Sequence, residues 1–197
     1  MVSPTLQTKL DRVPLAVAEA VHEVGPLHLT VEMVLERSGL SRTAFYERFK
    51  NAADALAFSW GRARQGFLEA ARSSPQHEHW RDQVWSLIHA LLQHAEAEPY
   101  LAGLYLAHGH AVSSERGSFD PAVVEVLMDV LRPGRGLGAE PPPSTEELIA
   151  FAILSLIADR LREAECEDLI DLTKELVVLA TLPYMSTSAT LKTIGYP

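Results

Sequence analysis

The sequence predicts an all-α protein of about nine helices. Three observations lead there: no stretch alternates apolar and polar residues between hairpin turns, apolar positions recur at helical spacing, and caps or breakers separate the segments. A first helix ends near Gly25-Pro26, with Val17, Val21 and Val24 among its apolar positions. Pro14 belongs in its first turn, because a proline deeper inside would remove a hydrogen bond. A short helix follows the N-cap residue Thr30 and stops at Ser38-Gly39, and another runs from Ser41 to about Phe49. Asn51 and Asp54 form a capping pair for a long helix reaching about Arg72, and Ser74-Pro75 breaks the chain. Further helices are expected over 77–97, 99–111, 120–132, 145–165 and 167–182. Asp120-Pro121 reads as an N-cap followed by a first-turn proline. Ser144-Thr145-Glu146-Glu147 reads as a capping box. The segment from Arg132 to Pro143, rich in glycine and proline, reads as a loop.

The chain has 197 residues, 47% of them hydrophobic and 22% charged, which is ordinary for a domain that buries a real core. The only cysteine, Cys166, excludes an internal disulfide and a cysteine zinc cluster, and a reducing, cytoplasmic setting is the simplest fit. The longest nearly apolar run, Leu148 to Ala158, spans 11 residues, short of the roughly 20 that cross a bilayer. The first residues contain no signal-like apolar stretch, so neither a membrane protein nor a secreted one is expected. The net charge of −9 is unevenly spread. Residues 1–60 carry six cations against seven carboxylates, a balance of −1; the remainder carries eleven against nineteen, a balance of −8. The acidity therefore does not decide what the first third binds.

Residues 30–49, TVEMVLERSGLSRTAFYERF, hold the strongest motif: two short helices joined by Ser38-Gly39-Leu40-Ser41. Gly39 suits the left-handed conformation that such a tight turn needs. Val31, Val34, Leu35, Leu40, Phe45 and Phe49 can face inward, with Phe45 and Phe49 on one face of the second helix. Arg42, Tyr46 and Lys50 form another row at i,i+4, flanked by Thr43 and Glu47. Two cations, a phenol and a threonine are groups that contact phosphates and base edges from a helix in a major groove. Spacing alone leaves open two amphipathic helices with a solvated face.

From Val17 to Leu56 the sequence resembles the DNA-binding domain of TetR-type transcriptional regulators. The matching features are Gly25, Leu29-Thr30-Val31, the Ser38-Gly39-Leu40-Ser41 turn, Phe45-Tyr46-x-x-Phe49, Lys50-Asn51 and Asp54-Ala55-Leu56. The resemblance implies a homodimer of helical subunits, each placing its third family helix in a major groove of operator DNA. It also implies a C-terminal domain that binds a small effector and releases the operator. Residues 1–50 would be the helix-turn-helix domain, and 51–197 the effector-binding and dimerisation domain. Thr30, Arg42, Thr43 and Tyr46 match DNA-contacting positions of the family, and Ser41 and Lys50 complete the candidate DNA-binding set. Where the family usually has lysine after the loop into the long helix, this chain has Ala52, so a frequent phosphate contact is missing. Weak non-specific affinity and a shallow salt dependence follow.

Leu148 to Leu154 and Leu176 to Ala180 are apolar on nearly every side, which suits either a dimer interface or a fully internal helix pair. Between 77 and 132, large rings accompany several histidines. Trp85, His89 and Leu92 share one helical face, while Tyr105 and His108 lie three apart on the next helix; these five are the candidate ligand-binding residues. The alternative is an aromatic core with solvated histidines. His77/His79 and His108/His110 point apart if helical, and chelate only near a helix end with Glu78 or Glu115, so no metal is expected. No P-loop, G-x-S-x-G, H-E-x-x-H or dinucleotide loop occurs, and the acidic surroundings of Cys166 disfavour a nucleophile. Neither an enzyme nor a cofactor is expected. The remaining alternative is an all-helical interaction or ligand-binding module whose helix-turn-helix no longer binds DNA.

Overall fold

The computed structural model describes residues 4–108, 119–137, 141–163 and 168–185. Within them the chain forms α1 (Pro4–Asp11), α2 (Val13–Val24), α3 (Val31–Ser38), α4 (Arg42–Arg48) and α5 (Ala52–Arg72). These are followed by α6 (Trp80–Ala97), α7 (Pro99–Leu106), α8 (Pro121–Leu131), α9 (Thr145–Arg162) and α10 (Thr173–Thr181). No described residue is in a strand. No helix among the described residues is long and apolar enough to cross a membrane. Cys166, His110 and Glu115 lie outside the described residues, as do the far ends expected for the 99–111 and 145–165 helices.

Local chemistry sets most boundaries. Pro14 occupies the first turn of α2, and Gly25 ends it with φ +79°, where a side chain would be strained. Thr30 Oγ1 accepts the Met33 N–H at 3.3 Å to start α3, and the left-handed Gly39 closes it. Ser41 Oγ accepts the Ala44 N–H at 3.2 Å to start α4. At α5, Asn51 Oδ1 accepts the Asp54 N–H at 2.9 Å, while Asp54 Oδ2 accepts the Lys50 N–H at 3.0 Å, a reciprocal cap. Asp120 Oδ1 accepts the Ala122 N–H at 2.9 Å at the start of α8.

Four expectations need correction. The polar segment Pro4–Asp11 is a helix of its own, separated from α2 at Arg12. Residues 77–79 are not helical: the His77 N–H is taken by Gln83 Oε1 at 2.8 Å, so α6 begins at Trp80. Ser144 makes no side-chain cap, because its backbone (φ −88°, ψ 9°) lacks the extended conformation an N-cap requires, and Glu146 turns inward. Before α10, residues Leu169–Leu172 wind as a 3-10 turn; the Ile170 N–H is held by Glu96 Oε2 at 3.1 Å.

Two apolar cores result. The smaller gathers Val13, Val17 and Val21 of α2, Val34, Leu40, Phe45 and Phe49 of the helix-turn-helix, Ala55 and Leu56 of α5, and Leu104 of α7. The larger fills the space among α5 to α10, with Phe67, Leu91, Leu92, Ile153, Leu154 and Tyr184 essentially inaccessible. Helices α5 and α7 enter both, α7 through Leu104 on one side and Tyr105 on the other.

Candidate nucleic-acid interface and effector region

Phe45 (0% exposed) and Phe49 (3%) are buried against each other, their ring centroids 5.3 Å apart. They fix the rotation of α4, so Arg42, Thr43, Tyr46 and Glu47 face solvent. Tyr46 is half exposed, with its ring edge-on to Phe45 at 5.4 Å. Thr30, Ser41 and Lys50 are exposed as well, so all six residues expected to meet DNA lie at the surface of the head. Thr30 and Ser41 also cap α3 and α4, so their hydroxyls sit at the starts of those helices.

One partner was not anticipated. Arg42 Nη2 donates to Glu32 Oε1 at 2.7 Å, tying the exposed face of α4 to α3. The Glu32 carboxyl is held below its ordinary value, by a backbone hydrogen bond first and by Arg42 second. Behind this pair Arg37 binds Glu23 at 2.5 Å and ties α3 to α2. The two carboxylates reduce the positive field of a head that has few cations.

The five residues expected to hold a ligand are divided. Trp85 is exposed; its ring stacks loosely on His89, whose Nδ1 lies 3.5 Å from Thr173 Oγ1 of α10. Leu92 is fully buried in the large core. Tyr105 is buried in a different aromatic group, with Trp60 at 5.6 Å and Phe67 at 5.3 Å between centroids, and Phe67 in turn meets His94 at 5.8 Å. His94 and Trp85 are nine residues apart on α6, half a turn out of phase, so they occupy opposite faces of that helix. His108 is partly buried just past α7.

The group around Tyr105 has polar structure of its own. Tyr105 Oη donates to Asp120 Oδ2 at 2.9 Å, and Arg64 Nε donates to the same oxygen at 2.5 Å. Burial tends to raise the Asp120 pKa, but the Ala122 N–H, Arg64 and Tyr105 outweigh it and the net shift is downward. The same desolvation, with the Asp120 charge, pushes the Tyr105 hydroxyl well above its ordinary range. Asp120 thus joins α5, α7 and α8 as an ionised hub. Trp60 Nε1 is sealed from solvent with no hydrogen-bond partner, the one such side-chain atom among the described residues. Trp60, Arg64 and Phe67 follow the i,i+4,i+7 spacing of one helical face, the signal by which the sequence could have revealed them.

At the loop before α6, His77 Nε2 is 2.6 Å from Ser86 Oγ, and His79 is exposed. No group of three potential metal ligands converges among the described residues.

No protein-family model matches the chain, and no curated protein matches its sequence. Solved structures do match its fold. A regulatory protein of the tetR family from Rhodococcus RHA1 superposes with a TM-score of 0.75 at 18% identity, covering 93% of this chain and 98% of that one. FadR from Bacillus subtilis, solved in complex with stearoyl-CoA, gives 0.65 at 16% identity, with 87% and 97% covered. SmeT, the repressor of a multidrug efflux pump in Stenotrophomonas maltophilia, gives 0.57 at 21% identity, with 93% and 88% covered. The chain therefore has the fold of the TetR-family regulators over nearly its whole length, with the helix-turn-helix at one end and the helical bundle at the other.

Proposed function

We propose that the protein is a ligand-responsive DNA-binding transcriptional regulator: a homodimeric repressor released from its operator by a small apolar or aromatic effector. The observation that carries this reading is the exposed row on α4. Arg42, Thr43 and Tyr46 project together while Phe45 and Phe49 anchor the helix from behind. Arg42 is suited to a guanine edge or a phosphate, and Thr43 and Tyr46 to phosphate or thymine methyl contacts. Thr30, Ser41 and Lys50 would fix the register on the backbone. Residues 1–50 would act as the head and 51–197 as the effector and dimerisation unit, with α5 joining them.

The dimer is proposed through α9 and α10. Leu148, Ala152 and Ser155 lie outward on α9, and Leu179 and Leu182 lie outward at and just beyond α10; the three leucines are 66%, 41% and 47% exposed. Apolar faces of that kind on adjacent helices are favourable to cover.

The effector is proposed to enter beside Tyr105, among α5, α7 and α8. There it would meet aromatic walls and the unpaired Trp60 N–H, and it would disturb the Arg64–Asp120–Tyr105 hub. Trp85 and His89 fall on the other side of α6 and Leu92 within the core, so the reading now centres on Tyr105 and Trp60. Because α5 also supplies Ala55 and Leu56 to the head core, a shift of α5 would change the spacing of the two heads. The effector must bind the DNA-free arrangement more tightly than the DNA-bound one.

Selection from a random duplex library by the purified chain tests the reading. Enrichment of an inverted repeat, with half-sites separated by about one helical turn or a multiple of it, is expected. Failure to enrich any sequence would contradict it.

A further inference from the structure

A cleft of about 450 Å³ opens on the side of α5 away from Trp60 and Arg64, between that helix, α1 and the end of α4. Its size falls in the usual range for small-molecule sites, roughly 300–1,000 Å³. Leu10, Pro14, Phe49 and Phe58 supply an apolar floor, with the Phe49 and Phe58 rings 5.4 Å apart. Arg48 and Arg62 supply the charge. The Arg48 guanidinium sits 5.5 Å from the centroid of the Phe58 ring, and Arg62 Nη1 reaches Gln65 Oε1 only at 3.5 Å. Neither arginine pairs with a carboxylate among the described residues. The one acid lining the cleft, Asp11, accepts a hydrogen bond from Gln7 Nε2 at 3.0 Å and belongs to the α1 wall.

We propose that this cleft binds a small amphiphilic organic anion, its ring or branched body resting on Phe49, Phe58, Leu10 and Pro14 and its charge taken by Arg48 and Arg62. The chemistry selects that class. Two arginines without acidic partners favour an anion, since guanidinium–carboxylate hydrogen bonds are among the stronger polar contacts. An aromatic floor beside Arg48 favours a flat apolar body packed on Phe49 and Phe58 next to the guanidinium. A bare phosphate would leave that floor wet.

The position gives binding there a consequence. Phe58 and Arg62 lie on one face of α5, and Trp60, Arg64 and Phe67 lie half a turn away on the other. An occupant would wedge α1 and α4 against α5 from the head side. The site is thus distinct from the region proposed for the effector, and it does not depend on that proposal or on DNA binding.

The test is amide NMR of the isotope-labelled full chain titrated with 2-naphthoate and with its neutral counterpart, 2-naphthamide. Saturable shifts of residues 7–13, 48–49 and 58–62 are expected with naphthoate, and binding about tenfold weaker with naphthamide. The exposed double substitution Arg48→Gln, Arg62→Gln should keep the folded spectrum and abolish that preference. Equal binding of the two probes, absence of binding, shifts confined to residues 60, 64 and 67, or an unaltered preference in the double variant would each overturn the proposal.

Discussion

Arg42 carries two opposing demands. It must reach DNA in the proposed reading, yet in the free head it is held by Glu32 across the gap between α3 and α4. Both side chains are exposed, so the contact is a competitor for phosphate rather than a brace for the fold. Glu32→Gln is therefore expected to raise affinity for non-specific duplex DNA a few-fold and to steepen the salt dependence by about one counterion. Fluorescence anisotropy at several salt concentrations measures both; unchanged affinity would show that Glu32 does not shield Arg42. The capping residues Thr30, Asn51 and Asp120 were legible in the sequence because each bonds to an N–H two or three residues ahead. The Glu32–Arg42 pair was not, since ten residues and a turn separate its members and only packing sets their distance.

At the scale of elements, the junction of α8, α9 and the chain after α10 is locked by one buried acid. Glu146 receives both Arg135 Nε at 2.7 Å and Nη2 at 2.6 Å, and Tyr184 Oη at 2.8 Å. Arg135 also donates to the carbonyls of Pro141 and Pro142 at 3.0 Å, which turns the proline-rich loop back onto the body. Burial favours the protonated acid, but the Arg135, backbone and Tyr184 hydrogen bonds prevail and the pKa falls below 4.5. A folded state with the lower pKa binds fewer protons than the unfolded chain. The contribution of Glu146 is thus complete above about pH 4.5 and is lost as pH falls through the depressed value. Glu146→Gln should cost about 2 kcal/mol near neutrality and flatten the acid limb of a stability–pH curve, read by urea unfolding; an unchanged acid limb would contradict this.

Nearby, Trp80 lies over Gly134. A Cβ built there would stand 2.5 Å from Trp80 Cζ2 and 2.9 Å from Tyr184 Cδ1. Gly134→Ala is expected to destabilise by about 1–3 kcal/mol in the same assay. None of this was legible as more than a loop, because Arg135 and Tyr184 are 49 residues apart in sequence. The overlooked α1 has only Leu6 and Leu10 as apolar signals, a pair too sparse to outweigh its polar neighbours.

At the scale of the molecule, the helical class and the head were readable because their signals are local and periodic. The grouping of the candidate ligand residues was not: a shared face on α6 and neighbouring positions in and just past α7 do not say which side of α6 the later helix covers. Charge and apolar exposure also act at this scale. With −9 overall and −1 on the first 60 residues, the proposed operator binding would rest on specific contacts rather than on a broad positive field. The proposed pairing of α9 and α10 predicts that Leu148→Glu with Leu179→Glu yields a folded monomer in sedimentation, whereas a dimer that survives both changes uses another face.

The central claim is that the outward row of α4 reads DNA, and an anisotropy titration of the selected duplex compares it most directly in wild type and the Arg42→Ala, Tyr46→Ala double variant. With the helical spectrum and unfolding midpoint unchanged, the account predicts a loss of affinity on the order of a hundredfold for the selected sequence and only a few-fold loss for random duplex. Equal affinity of the two proteins for the selected sequence would contradict it.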